Sequence, residues 1–170
     1  MRLEDKIRDI PDFPQKGIIF KDITPLIADP QGFRAAVESL QEACKHKAVD
    51  AVVALESRGF LFGAPLAYNM GVGLIPVRKQ GKLPADTFKM EYALEYGTNV
   101  VEIHRDALAP GQKVLIVDDL LATGGTALAA AKLVEKLGAV VEGLVFLIEL
   151  TFLQGREKLA GYQVTSLIQY

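Results

Sequence analysis

Val114-Leu115-Ile116-Val117-Asp118-Asp119-Leu120-Leu121-Ala122-Thr123-Gly124-Gly125-Thr126 is the stretch on which the reading of this chain turns. Four consecutive apolar residues, Val114 to Val117, describe a strand covered on both faces, the usual condition in a parallel sheet. The strand is expected to stop at Asp118 and Asp119, because charges there must reach water or a partner. Ala122 to Thr126 then supplies small side chains, two glycines and two hydroxyls. In such a loop backbone N–H groups converge on an anion and the hydroxyls add donors. A helix is expected from Ala127, with Ala127, Ala130, Ala131, Val134 and Leu137 on one face and Lys132, Glu135 and Lys136 away from it. Its positive end points into the loop. Phosphate donors beside two hydroxyl acceptors suit a sugar phosphate. The plainer reading, a Rossmann-like turn with Asp119 as a helix N-cap, explains neither the second acid nor the paired glycines.

The chain has 170 residues, half of them apolar, which suggests one domain over 1–170 with its own core and argues against disorder. A net charge of −2 lacks the electrostatic footprint of a nucleic-acid binder. The single cysteine, Cys44, forms no internal disulfide, which suits a reducing cytoplasm. With Phe33, Val37 and Leu40 on one helix face it reads as a small buried hydrophobe. The charged start, Met1 to Lys6, does not read as a signal peptide, and no apolar run reaches membrane-spanning length. His46 and His104 are isolated and share no metal-ligand spacing.

Along the chain, residues 3–9 read as a short helix ended by Pro11 and Pro14, and 17–20 as a short strand. Asp29-Pro30 is a helix start, Asp29 as N-cap, for a helix running to about Lys47. Residues 48–55 form a buried strand, 56–59 a loop, and the next helix reaches about Asn69; Pro65 either kinks it or marks its first turn. Strands follow at 73–78, at 88–94 by alternation, at 99–104 as the return of a hairpin about Tyr96-Gly97-Thr98, at 140–150 and at 163–168. Strands alternating with helices predict an α/β sheet with right-handed crossovers, and ligands in such sheets sit beyond the carboxyl ends of the strands. The loops after Leu55, Arg78 and Val117 are therefore expected at one edge.

Two of those loops carry cations. Glu56-Ser57-Arg58-Gly59-Phe60 follows a strand and opens a helix, so its amides and the forked guanidinium of Arg58 suit a diphosphate; a surface ion pair is the plainer role for Arg58. Arg78-Lys79-Gln80-Gly81-Lys82-Leu83-Pro84 reads by composition as a solvated basic loop, yet it leaves the same sheet edge. Arg78 is equally suited to pairing with Glu56 or an aspartate.

The segment from Val114 to Thr126 resembles the phosphoribosyl-diphosphate (PRPP) signature of the type I phosphoribosyltransferases: an apolar strand, two acids, an apolar pair and a Thr-Gly-Gly-Thr-like loop. The resemblance runs from Ile10 to Tyr170. It implies a type I phosphoribosyltransferase-like α/β fold: a central, mostly parallel sheet flanked by helices, a small N-terminal hood from about 10–28, and a flexible hairpin loop at about 79–104. It also implies that Ala122, Thr123, Gly124, Gly125 and Thr126 hold the 5′-phosphate and that Asp118 and Asp119 hold the ribose hydroxyls. Ser57, Arg58, Lys79 and Lys82 become pyrophosphate contacts, and the Glu56–Ser57 peptide is expected to be cis.

Other motifs resemble the adenine-specific branch of that family. Leu94-Glu95-Tyr96-Gly97 is similar to its flexible-loop motif, in which the glutamate handles a purine proton and the tyrosine helps close the site. Asp12-Phe13-Pro14-Gln15-Lys16-Gly17-Ile18-Ile19-Phe20-Lys21-Asp22-Ile23-Thr24-Pro25 is similar to its hood. There the backbone of Ile19 and Lys21 would read the adenine edge, with Phe20 or Ile19 covering the ring. A peptide C=O and N–H match the N6 donor and N1 acceptor of adenine, whereas a 6-oxo purine presents like groups. Ile148-Glu149-Leu150-Thr151 and Gly155-Arg156-Glu157-Lys158-Leu159 match too and read as structural. The implied activity is purine salvage, adenine and PRPP giving AMP and pyrophosphate. Asp118, Asp119 and Glu95 are the catalytic groups, and Mg²⁺ is bound mainly through PRPP and water. The same resemblance implies a cytoplasmic homodimer. A phosphoribosyltransferase for hypoxanthine, guanine or xanthine, and a PRPP-sensing regulator, are the competing readings.

Overall fold

The computed structural model describes residues 2–94 and 97–170. The chain divides into two compact units, Met1–Ser39 and Leu40–Tyr170.

The first unit opens with a 3-10 turn at Leu3–Lys6 and a two-stranded antiparallel ribbon, β1 (Arg8–Pro11) and β2 (Ile19–Asp22). The helix expected over 3–9 is thus confined to one turn, and Arg8 to Pro11 is extended. Cross-strand pairing overrides local preference here. Arg8 Nη2 donates to Asp22 Oδ2 at 2.6 Å and Lys21 Nζ to Asp9 Oδ1 at 2.7 Å, tying the ribbon together from both sides. Asp22 also accepts the Thr24 amide at 2.9 Å. That hydrogen bond, with Pro25 in the first turn, starts α1 (Thr24–Ala28), a helix the sequence reading did not separate. As expected, Asp29 caps α2 (Pro30–Cys44), its Oδ1 accepting the Gln31 amide at 3.2 Å.

The second unit is a seven-stranded sheet. Its strands in chain order are β3 (Ala51–Leu55), β4 (Gly73–Lys79), β5 (Thr87–Ala93), β6 (Thr98–His104), β7 (Lys113–Leu121), β8 (Val140–Glu149) and β9 (Val164–Gln169). Their spatial order is β5-β6-β4-β3-β7-β8-β9, with β4, β3, β7, β8 and β9 parallel and the β5–β6 hairpin antiparallel at one edge. The mostly parallel α/β sheet expected from the alternating pattern is therefore present. The two central strands are buried throughout their apolar runs, Val52, Val53, Leu115 and Ile116 having no exposed surface.

α3 (Gly59–Met70) and α4 (Gly125–Lys136) cover opposite faces. Val53, Leu55 and Ile116 share a core with Ala127, Ala130, Ala131 and Val134 of α4, as the helical spacing predicted. On the other face, Gly63 of α3 lies so close to Ala54 that a Cβ there would meet the Ala54 Cβ at 2.6 Å. Pro65 lies inside α3 rather than in its first turn. Cys44 is fully buried, and burial pushes its thiol up to about 11, in keeping with a small hydrophobe. Among the described residues no helix is long and apolar enough to cross a membrane.

One expectation is corrected: β7 does not stop at Asp118 but runs to Leu121. Its partner explains this. β8 continues alongside, pairing Asp118 with Phe146, Leu120 with Ile148 and Leu121 with Glu149. β3 ends earlier, its last pairing on this side being Ala54 with Val117. Beyond Val117 one edge of β7 stays in the ladder with β8, while the other is released from β3 and meets the start of α3, where a Cβ on Gly59 would lie 2.9 Å from Asp118 Oδ1. The acids lie on this released stretch.

Candidate functional site

The register brings the ends of the central strands side by side: Leu55 pairs with Val77, and Ala54 with Val117. The next residues, Glu56, Arg78 and Asp118, consequently stand side by side, Glu56 just past the end of β3 and the other two still on their strands. They open into a cleft of about 510 Å³ at the point where strand order reverses between β3 and β7, the usual ligand position in an open α/β sheet. Ser57, Arg58, Lys79, Asp118, Asp119 and Thr126 all line it. A second hollow of about 80 Å³ adjoins it, formed by Ala122 to Ala127 with Leu120, Leu121 and Phe146.

The hollow is built by the β7–α4 turn. Gly124 caps α4 at φ +86°, a left-handed conformation costly for any residue with a Cβ. The turn aims the first amides of α4 inward, a ready anion cradle with the helix dipole behind it. The Thr126 hydroxyl lies at the boundary of hollow and cleft and is hydrogen-bonded to the Tyr92 hydroxyl at 3.0 Å.

Asp119 is 4% exposed, and its Oδ2 lies 2.8 Å from Arg58 Nε without accepting an aligned hydrogen bond. Asp118 Oδ1 accepts the Asp119 amide at 2.9 Å. Burial pushes Asp118 well above the usual carboxylate range, and the adjacent Asp119 carboxylate adds to it. Burial likewise raises Asp119, although Arg58 opposes the shift. A pair of acids held this way gains from hydroxyl donors or positive charge placed above it.

The Glu56–Ser57 peptide is cis, as expected. Glu56 is engaged rather than free. Its Oε2 accepts the Lys79 amide at 2.8 Å and lies 3.3 Å from Arg78 Nε. Burial pushes its carboxyl up, but those two partners outweigh burial and hold it below the ordinary range. Arg78 is thereby paired with Glu56, one of the two partners open to it in the sequence. Lys79 lines the cleft. Lys82 is exposed on the turn beyond it, its carbonyl accepting from Arg78 Nη1 at 3.4 Å. His104 accepts the Ala85 amide at 3.3 Å within the hairpin region.

Within the first unit, Ile19 is 55% exposed, and Phe20 stands edge-on to Phe13 with ring centroids 5.1 Å apart. The side chain of Lys21 is paired with Asp9, Nζ to Oδ1 at 2.7 Å. Glu95 and Tyr96 lie outside the described residues.

Two cleft residues escaped the sequence reading. Tyr92 and Asn99 are cross-strand partners on β5 and β6, and both line the cleft. Alternation marked Tyr92, and the returning strand of the hairpin Asn99, only as strand residues. The signal that singles them out is their register in the hairpin, which local spacing does not carry.

A model of the phosphoribosyl transferase domain matches residues 27–161 of the chain. The chain is 62% identical to an adenine phosphoribosyltransferase of Clostridium perfringens over 100% of its own length and 99% of the relative's. The crystal structure of the adenine phosphoribosyltransferase from Thermoanaerobacter pseudethanolicus superposes with a TM-score of 0.97 at 59% identity, covering 99% of this chain and 100% of that one. That of Saccharomyces cerevisiae, complexed with an imino-altritol bisphosphate and adenine, does so with a TM-score of 0.90 at 44% identity, covering 95% and 94%. The chain places Asp118, Asp119 and the glycine turn at the switch point of its α/β sheet, is matched over 95–100% of its length by these proteins, and belongs to the adenine phosphoribosyltransferase family.

Proposed function

We propose that this chain transfers the 5-phosphoribosyl group from PRPP to adenine, giving AMP and pyrophosphate in purine salvage. The observation that carries the reading is the convergence at one sheet edge of the Ala122–Thr126 cradle, the Asp118–Asp119 pair and the cations Arg58 and Lys79. In this reading the cradle amides and the Thr123 and Thr126 hydroxyls hold the 5′-monoester. The raised carboxyls of Asp118 and Asp119 accept the ribose hydroxyls, which answers the unaligned oxygen of Asp119. As the bond from C1′ to the diphosphate breaks, the ribose becomes cationic, and the acid pair stabilises it. Ser57, Arg58, Lys79 and Lys82 take up charge on the leaving diphosphate. Glu95 manages the purine N7 proton as N9 attacks, and Tyr96 helps the loop exclude water.

The hood reads the base through the backbone of Ile19 and Lys21, with Phe20 or Ile19 as the apolar cover. This is supported by the exposure of Ile19 and by the β2 edge, which has no second strand partner among the described residues. The chain acts as one catalytic domain over 1–170, with the hood from about 10–28 and the flexible loop at about 79–104.

Among the described residues no three His, Cys, Asp or Glu side chains come together as a metal cage. The acid pair at the cleft fits a hard divalent ion that takes most of its ligands from substrate oxygens and water, as Mg²⁺ does. When bound, Mg²⁺ supplies charge neutralisation for the diphosphate. We assign the protein to the cytoplasm as a homodimer. The buried thiol of Cys44 suits a reducing compartment.

Direct competition among adenine, hypoxanthine, guanine and xanthine for PRPP tests the assignment. Adenine is expected to be consumed and the 6-oxo purines left; preference for a 6-oxo purine overturns it.

A further inference from the structure

Gly155-Arg156 lies more than two dozen residues beyond the cradle and reads from sequence as structural. The fold brings it back against the cradle. A Cβ on Gly155 would overlap the Ala122 carbonyl oxygen and come within 3.1 Å of the Gly124 nitrogen. Reciprocally, a Cβ on Gly124 would lie 2.5 Å from the Gly155 carbonyl oxygen. Two stretches of backbone therefore pack directly on each other, with no side chain between them. The contact fixes the peptide groups that aim the cradle amides.

What holds Gly155 there is a polar anchor of low exposure. Glu149, 4% exposed, ends β8 opposite Leu121, the residue before the cradle. Arg156 Nε donates to Glu149 Oε1 at 3.0 Å, and Arg156 Nη1 donates to the Val164 carbonyl at 2.7 Å. The Leu150 amide donates to the Leu121 carbonyl at 2.9 Å, so the turn leaving β8 is stitched to the end of β7 as well. Arg156 hydrogen bonding is the main influence on Glu149 and keeps its carboxyl ionised, below the ordinary range. The fork thus clamps the end of β8 and β9 to the residue next to Gly155.

We propose that Gly155, clamped by the Glu149–Arg156 pair, is a positioning residue for the 5′-phosphate cradle, setting the Ala122–Gly124 backbone in its anion-binding conformation. This rests on the reading of Ala122 to Thr126 as the monoester site. A displaced cradle weakens binding of the phosphate end while leaving the base untouched, a selectivity that general loosening of the fold does not produce.

The test uses Gly155→Ala, Arg156→Gln and, in the cradle itself, Thr126→Ala. Binding of ribose 5-phosphate and of adenine is measured by titration calorimetry, and KM for PRPP and adenine with kcat. Gly155→Ala is expected to weaken ribose 5-phosphate and raise KM for PRPP about 10–100-fold, as displacements of ångström size do, with KM for adenine within about twofold. Arg156→Gln is expected to show the same selectivity at smaller size, and carries the test if Gly155→Ala does not fold. Unchanged ribose 5-phosphate binding in a folded variant, or equal losses for both ligands, overturns the proposal. Failure of both variants to fold assigns the segment to stability alone and also overturns it. If Thr126→Ala weakens ribose 5-phosphate and Gly155→Ala does not, the positioning role alone fails. If Thr126→Ala has no effect, the monoester reading fails and takes the positioning role with it.

Discussion

Asp119→Asn separates chemistry from folding in the cleft. Asp119 is nearly buried and paired to Arg58 Nε at 2.8 Å. Removing one partner of a fully buried ion pair typically costs about 3–5 kcal/mol. Two features of this pair reduce that cost. The Arg58 side chain is 41% exposed and keeps its water, and Asp118 remains beside it as a second anion. Burial also holds both acids above their ordinary range, with the Asp119 carboxylate adding to the rise of Asp118, so charging them at neutral pH opposes folding, and an amide relieves part of that. The stability change is therefore expected within about 1 kcal/mol. The chemistry has no such compensation. An amide presents no negative charge to a cationic ribose, and losing one preorganised electrostatic group typically costs about 2.7–4 kcal/mol, or 10²–10³ in kcat. The assay is kcat at saturating PRPP and adenine, beside a thermal midpoint.

The pH dependence gives an internal check. A carboxyl whose folded pKa is raised binds more protons folded than unfolded, so its contribution to stability grows as pH falls through the folded value and is complete below the unfolded one, 3.8. In Asp119→Asn this contribution shrinks. A kcat within about threefold of the parent would refute the assigned role, as would a collapse of the thermal midpoint that accounts for the lost activity.

If Glu95 handles the purine proton as proposed, Glu95→Gln is expected to lower kcat more than it raises KM for adenine; steady-state kinetics at saturating PRPP decide. Gly63→Ala drives a Cβ into Ala54 at 2.6 Å, and overpacking of this kind is expected to cost about 1–3 kcal/mol in denaturant unfolding while kcat stays unchanged. Glu149 gives the opposite pH sign to the aspartate pair. Its folded pKa is lowered chiefly by Arg156, so its stabilisation is present above the ordinary 4.5 and is lost as pH falls through the folded value. The Glu149→Gln variant should lack that acid-limb slope in a midpoint-versus-pH series, and an identical slope would contradict it.

Much of the fold and of the geometry of the candidate cradle was legible because the signals are local. Apolar runs such as Val114–Val117 mark strands covered on both faces, the spacing of Ala127, Ala130, Ala131 and Val134 marks a helix face, and Asp29-Pro30 marks a helix start. Paired glycines and hydroxyls directly after such a strand mark an anion loop, since amide convergence needs only consecutive residues. Decisions that depend on what lies across a gap were not legible. β7 passes Asp118 because β8 is still beside it and β3 is not. Arg78 pairs with Glu56 because Leu55 and Val77 are partners in the sheet and these are the next residues, and Tyr92 reaches Thr126 because of where the hairpin packs. Gly155 reads as an ordinary glycine until the chain returns it to Ala122. Backbone geometry over a few residues is set by neighbours in sequence, whereas pairing register and backbone-to-backbone approach are set by residues dozens of positions away, and only the folded chain brings those together.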